Sequence, residues 1–318
     1  MQTIIGADVG GTLLRAARFD PDLNMLERVE QPSHAEQGSD AVLDRLIETI
    51  RQVLPESPGD LAGIGLALPS PVDAEQGVVI ATPNLPFKDL PIVELVHRAI
   101  GGPVYLGNDA DLAGLAEYYL GAGQGARTMV YITISTGVGG GIIINGRPFV
   151  GRGQGGEIGH MVVQPDGPIC GCGRRGHLES FSSGTAIART ARKRLEAGEE
   201  SAIRDMVNGD ITRVTAVEVG EAAKKGDRLG AEIITQAGHH LGIAIASLMV
   251  LLNPDIFVLG GGVTKIGDLL FEPMHAAIRE YAMHPRYWEN TRIVRAELGG
   301  NVGLCGAAAL VRMMQDRQ

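Results

Sequence analysis

Cysteine is scarce in this sequence. There are three, two of them in Cys170-Gly171-Cys172, too few and too close for a disulfide framework, so a reducing cytoplasm is the expected compartment. An excess of positive charge is also missing. The 28 Lys and Arg stand against 37 Asp and Glu, a net charge of −9, which argues against a nucleic-acid partner. No apolar run reaches membrane-spanning length without a Gly, His, Asn or charge, so no membrane partner is expected. The first apolar run is broken by Asp8 and Gly10-Gly11 and does not make the h-region of a signal peptide. Aromatics are 4% of the residues while glycines number 45, the balance of a globular chain with many tight turns. Its 318 residues suit two domains of ordinary size.

The placement of the glycines is informative. Ile4-Ile5-Gly6-Ala7-Asp8-Val9-Gly10-Gly11-Thr12 reads as an apolar strand, an Asp, a Gly-Gly-Thr turn and then a second apolar stretch from Leu13 to Phe19. Gly10 and Gly11 let backbone N–H groups approach an anion, and Thr12 adds a hydroxyl donor. Asp8 stands where a water-rich Mg²⁺ would bridge to phosphates, since Mg²⁺ usually takes one or two protein carboxylates. A nucleoside triphosphate cradle on a β-hairpin is the chemical reading. Residues 129–144 repeat the plan: apolar strand, the turn Thr136-Gly137, apolar strand. Two phosphate-type hairpins half a chain apart imply duplicated domains serving one nucleotide. The G-x-G-x-x-G spacing of a dinucleotide fold is not met here, nor at Gly260-Gly261-Gly262.

Strand-like and helical runs alternate, an α/β pattern. Ser39 is expected to cap a helix through Leu54 with Val42, Leu46, Ile50 and Val53 on one face. A strand is expected from Ile64 to Leu68. Pro69, Pro71, Pro83, Pro86 and Pro91 mark a loop-rich crossing. A strand from Pro103 to Leu106 runs into Asn108-Asp109, and a helix follows to Leu120. Asn145-Gly146 signals a type I′ hairpin turn. Thr215-x-x-Glu218 is a capping box. Leu229 to Leu252 reads as a buried helix in which His239 and His240 are packed residues, and Asp255 to Leu259 as a strand.

Two constellations carry chemistry. Asn108 at a helix start satisfies a free N–H, and the helix dipole keeps Asp109 ionised, which suits a carboxylate that accepts a proton from an attacking hydroxyl. His160, Cys170, Cys172 and His177 supply two imidazoles and two thiolates at a spacing that suits a closed, tetrahedral, structural Zn²⁺ site. Such a site would hold Glu157, His160 and Glu179 as a rigid shell. Cys305 falls in a small-residue helix and acts there as a small hydrophobe.

Together these motifs resemble the ROK family of sugar kinases, in the actin-like ATPase superfamily, over nearly the whole chain. The resemblance implies an α/β fold of two duplicated actin-like (ribonuclease-H-like) domains around a central cleft. The smaller domain would hold residues 1–120 with a C-terminal helix at 302–318, and the larger, with the zinc knuckle, residues 121–301. Asp8-Val9-Gly10-Gly11-Thr12 looks like the family's first phosphate loop, Ile134 to His160 like its signature region, and Gly260-Gly261-Gly262 like its adenosine loop. By the same likeness Asp109 is the general base, and Asn84, Asn108, Asp109, Glu157, His160 and Glu179 bind sugar hydroxyls. His177 stands where the family usually has a third knuckle Cys, and Ser70 where its Pro-Gly-Pro-Val-Asp has Gly. The implied activity is ATP- and Mg²⁺-dependent phosphorylation of a hexose at C6, with glucose first and N-acetylmannosamine, fructose or allose as alternatives. A homodimer or dimer of dimers is implied too. Sugar-sensing regulators of the same family are the reading from another class; seven residues before Asp8 are too few for a DNA-binding domain.

Overall fold

The computed structural model describes residues 2–82 and 84–316; Pro83, one of the prolines of the expected loop-rich crossing, lies outside them. The chain divides into two compact units. One takes Met1–Tyr131, Gly141–Gly156 and Ala296–Gln318, the other Ile132–Gly140 and Glu157–Arg295.

The first unit opens on β1 (Thr3–Val9) and β2 (Leu13–Phe19), an antiparallel pair whose register sets Asp8 opposite Arg15 and Val9 opposite Leu14. Gly10-Gly11-Thr12 is left as the turn, closed by Gly10 N–H donating to the Leu13 carbonyl at 2.9 Å. There follow β3 (Met25–Pro32), α1 (Ser39–Arg51), β4 (Leu61–Leu68), β5 (Val72–Asp73), β6 (Val78–Ala81), β7 (Lys88–Leu90), α2 (Ile92–Ile100), β8 (Val104–Asn108) and α3 (Asp109–Leu120). The main sheet has the order β3-β2-β1-β4-β8. Its alternation decides what meets what. Ile5, Ala7 and Val9 of β1 join Val42, Leu46 and Ile50 of α1 in one buried cluster; each of the Val, Leu and Ile side chains contributes about 1.5–3 kcal/mol when fully buried. The opposite face carries Gly6 and Gly65, paired across β1 and β4. A Cβ on Gly65 would lie 1.9 Å from the Ala307 carbonyl oxygen, and one on Gly6 2.4 Å from that of Leu304. The C-terminal helix (Val302–Gln315) therefore lies directly on the sheet. Asp8, two residues beyond Gly6, shares that face.

The other elements are β9 (Thr128–Ile134), β10 (Val138–Ile144), β11 (Arg147–Pro148), α4 (Glu179–Ser182), α5 (Gly184–Glu196), α6 (Ile203–Met206), α7 (Ala216–Lys224), α8 (Arg228–Leu252), β12 (Ile256–Gly260), α9 (Asp268–Tyr281), α10 (Arg286–Glu289) and β13 (Arg292–Arg295). The second sheet runs β11-β10-β9-β12-β13, the order of the first sheet repeated. The duplication read from the two glycine turns is thus present in the strand order. α8 is the one helix among the described residues long and apolar enough to cross a membrane, yet 67% of its most apolar window is buried, as in a core helix.

Local signals held where their chemistry was local. Asn108 caps α3, its Oδ1 accepting from Ala110 and Asp111 N–H. Thr215 and Glu218 make the capping box of α7. Asn145 and Gly146 both have positive φ, 51° and 77°, as the type I′ turn requires. His240 is buried, and Cys305 packs in the C-terminal helix. Two expectations are corrected. Ser39 is the first helical residue and not the cap; Gly38, at φ 94°, holds that place, and the helix stops at Arg51. The proline-rich crossing contains a small sheet of order β5-β6-β7. Its strands are two to four residues long, too short to show alternation, and the prolines stand outside them where no ladder N–H is missed.

Candidate active site and metal centre

In the first unit the expected residues gather around the C-terminal ends of β1, β4 and β8. The Gly10-Gly11 turn is held from below, since Ser33 N–H donates to the Thr12 carbonyl at 2.9 Å and Ser33 Oγ to the Gly11 carbonyl. The Thr12 side chain stays exposed. A Cβ on Gly11 would fall 2.6 Å from both Cβ and the carbonyl oxygen of Asn84, so glycine here admits the Asn84 loop to the turn. Asn108 Nδ2 donates to Ser70 Oγ at 2.7 Å and to Asp109 Oδ1 at 3.1 Å. Asp109 Oδ1 also accepts from Ala110 N–H at 2.7 Å. The carboxylate of Asp109 is thereby aimed at the end of β8 by an amide and a helix start.

Asp8 is less open than the sequence suggests. Its side chain is 13% exposed and pairs with Arg15. Burial pushes its carboxyl above the ordinary range, and the Arg15 charge and hydrogen bond pull it back. Arg15 binds Oδ2, which leaves Oδ1 to meet a ligand. A single carboxylate oxygen on the strand that leads into the glycine turn fits Mg²⁺, which keeps most of its water.

The second unit holds the other phosphate-type turn. Ser135 N–H donates to the Gly137 carbonyl at 2.9 Å, and Gly184 N–H to the Ser135 carbonyl at 2.7 Å, which sets the start of α5 against the turn. Beside it lies a cavity of about 770 Å³ whose wall includes Thr136, Val217, Gly262, Val263 and Ile266. Thr136 and Gly262 thus line one cavity. Gly137, Gly260 and Gly261 are not among its lining residues. A Cβ on Gly261, at φ 88°, would lie 2.2 Å from the Ile134 carbonyl oxygen, so this glycine lets β12 turn tightly against β9. Arg189, Arg192, Lys224 and Lys265 also line the cavity. No motif pointed to them, because they come from three separate elements.

The knuckle assembles as the spacing implied. Ligand atoms of His160, Cys170, Cys172 and His177 all lie within 4.8 Å of one another. His160 Nδ1 and His177 Nδ1 are 3.2 Å apart, Cys170 Sγ and His160 Nδ1 3.7 Å, and Cys172 Sγ and His177 Nδ1 3.3 Å. A tetrahedron with Zn–N near 2.0 Å and Zn–S near 2.3 Å has edges of about 3.3–3.8 Å; these three separations lie close to that range, and two imidazoles with two thiolates are a donor set that suits zinc. Burial pushes the Cys170 thiol up to about 11. Glu179 joins this knuckle to the glycine turn: its Oε2 accepts from Val138 N–H at 3.0 Å, while its Oε1 lies 3.5 Å from Cys170 Sγ. Glu157 stands exposed at the start of the short turn that carries His160.

Comparison with known proteins agrees with this layout. The ROK family model matches residues 4–314. A glucokinase from Thermotoga maritima is 34% identical over 97% of this chain and 97% of its own. The ROK hexokinase of Thermus thermophilus is 35% identical, covers both chains fully and superposes with a TM-score of 0.85. A ROK family glucokinase from Streptomyces griseus, solved with glucose and AMPPNP, is 32% identical over 98% of this chain and 99% of its own, with a TM-score of 0.81.

Proposed function

The chain belongs to the ROK family and is an ATP-dependent hexose kinase acting on glucose; from that premise we propose that Asp109 is the general base. The C6 hydroxyl gives its proton to the Asp109 carboxylate as the oxygen attacks the γ-phosphorus in line and ADP leaves. Asn108 serves twice, capping α3 and presenting its amide to the sugar, and Asn84 is placed for a second hydroxyl. Glu157, His160 and Glu179 take further hydroxyls. His160 directs Nδ1 into the knuckle, which leaves Nε2 for the sugar, the two-sided use that imidazole allows. Polar side chains in this number reject analogues lacking a hydroxyl, because one of them would be left unpaired.

Asp8, Gly10, Gly11, Thr12, Thr136, Gly137 and the Gly260-Gly261-Gly262 turn serve the nucleotide. Mg²⁺, when bound, supplies charge to the departing phosphates. The cavity beside Thr136 is the adenosine site in this reading, with Val217, Val263 and Ile266 as its apolar walls. Zinc is structural, with His160, Cys170, Cys172 and His177 as its four ligands, His177 serving where the family's third Cys would. With zinc bound, Cys170 would serve as a thiolate and Glu179 Oε1 would be freed from the thiol proton. The enzyme works in the cytoplasm as a homodimer or dimer of dimers. Exposed Val250, Leu251, Tyr281 and Met283 supply apolar surface for that association, and light scattering checks it.

The arrangement at Asn108 and Asp109 carries the reading: a capped helix start that holds a carboxylate where β8 ends. ADP release measured across glucose, fructose, mannose, allose and N-acetylmannosamine tests it. Glucose is expected to give the highest kcat/KM; a higher value for an N-acetylated sugar would overturn the choice of substrate.

A further inference from the structure

Glu117 is an ionisable side chain that phosphoryl transfer does not use. It lies near the end of α3 and is 0% exposed. Its carboxylate accepts from Glu297 N–H at 3.0 and 3.2 Å, from Leu298 N–H at 2.9 Å and from Ala122 N–H at 3.0 Å. Charged acceptors make the stronger hydrogen bonds, and losing this one would leave three backbone donors short of a partner. The segment so held is the approach to the C-terminal helix. Two residues past Leu298, the Gly300 carbonyl accepts from Arg15 Nη1 at 2.6 Å. Arg28 donates to Asn301 Oδ1 at 2.8 Å, a second tie at the same place. Through its other terminal nitrogen Arg15 binds Asp8 Oδ2. Gly303, in the first turn of the helix, lies so close to the Asp8 carboxylate that a Cβ would fall 2.3 Å from Oδ2.

We propose that Arg15 is a positioning residue for the Mg·ATP side of the site, and that Glu117 keeps it in place by fixing the carbonyl on which it rests. The proposal depends on the assignment of Asp8 to Mg·ATP made above. A carboxylate's last torsion is broad and two-fold, so Asp8 alone would not hold one oxygen towards a hydrated cation. The planar guanidinium takes Oδ2 with one arm and the Gly300 carbonyl with the other, which fixes the carboxylate plane and leaves Oδ1 for the metal's water shell. A lysine carries the charge without the fork, so Arg15→Lys separates aim from charge.

Calorimetric binding of AMPPNP at saturating glucose, with and without Mg²⁺, tests this. In the unaltered enzyme Mg²⁺ is expected to tighten AMPPNP. Arg15→Met is expected to cut that Mg²⁺-dependent gain roughly 10–100-fold, the usual loss when a group orienting a metal ligand is removed. Glucose affinity and metal-free AMPPNP affinity should stay within about twofold, because Arg15 touches neither in this account. Arg15→Lys should recover less than half of the gain on a logarithmic scale. Glu117→Gln should shift it in the same direction. Full retention of the gain in Arg15→Met, full recovery in Arg15→Lys, or a parallel loss of glucose affinity overturns the proposal. Asp8→Asn serves as control: if it keeps the gain, the premise about Asp8 fails and the proposal with it, whereas a loss in Asp8→Asn with retention in Arg15→Met overturns the proposal alone.

Discussion

Asp8 sits where water reaches it poorly, and a cross-strand arginine compensates. Its removal should act on nucleotide handling and not on sugar binding. We expect Asp8→Ala to lower kcat at least tenfold, the scale of one lost transition-state contact, and to raise the KM for Mg·ATP. Glucose affinity measured by calorimetry without nucleotide should be unchanged; lost glucose affinity with intact nucleotide kinetics would refute the assignment of the turn. The difference between Asp8 and Arg15 also shows what a sequence can reveal. Asp8, Gly10, Gly11 and Thr12 were legible because a turn's chemistry lies in adjacent residues. Arg15 was missed because its place depends on strand register. The pairing of Asp8 with Arg15 across a hairpin was within reach of counting outward from the Gly-Gly turn. Glu117 offered no such signal: its partners, Glu297 and Leu298, are 180 and 181 residues away.

At the scale of elements, the knuckle is the piece most dependent on its ion. Residues 153–179 contain two short β-bridges, Val162 with His177 and Ile169 with Arg175, and one turn of 3₁₀ helix at Ile158–His160, little regular structure to hold them. The purified protein should carry about one zinc per chain, the stoichiometry of a closed four-ligand site. Chelation should increase hydrogen exchange across this segment before the rest opens, because metal binding here is local folding energy. His177→Cys should retain zinc. Finding no zinc by elemental analysis, with Cys170 and Cys172 both titrating freely in active enzyme, would refute the site. A second tie to the knuckle is testable by pH. His240, on α8, stacks on Phe181 at 3.8 Å between ring centroids, and its Nε2 lies 3.2 Å from Gln164 Oε1. Burial holds its imidazole below the usual value, so the unfolded chain binds the extra proton first. Its contribution is present above about pH 6.5 and is lost as pH falls below that, towards the folded value. His240→Gln should therefore flatten the fall in Tm between pH 7.5 and 5.5; an unchanged slope would remove His240 from the account. The glycine ladder under the C-terminal helix gives a third test. Gly65→Ala should destabilise by about 3 kcal/mol, the upper part of the range for overpacking, read as a lower urea midpoint with unchanged slope. Helices with caps written beside them were legible before the structure, as at Asn108 and Thr215. The β5-β6-β7 sheet was not, since two-residue strands carry no period.

On the scale of the whole molecule, one strand order occurs twice, and each copy opens with a glycine turn. That duplication was legible because the two turns share a pattern of apolar strand, hydroxyl, glycine and apolar strand. The unit boundaries were harder to read. The sequence suggested division near 120 and 302, while the chain passes between units after Tyr131, Gly140, Gly156 and Arg295; Tyr131 and Gly140 fall inside strands and Arg295 ends one, where no linker composition marks a boundary. In the proposed mechanism the sugar's proton passes to Asp109, in the first unit. Whether Asp109 is the base is read from ADP release by Asp109→Asn at saturating glucose and Mg·ATP, with glucose binding followed in parallel by calorimetry. The substitution keeps the shape of the side chain and removes the proton acceptor. The expected kcat is lower by roughly 10²–10⁴, the range for loss of a general base, with glucose still bound; a variant that keeps more than about a tenth of the rate would refute Asp109 as the base.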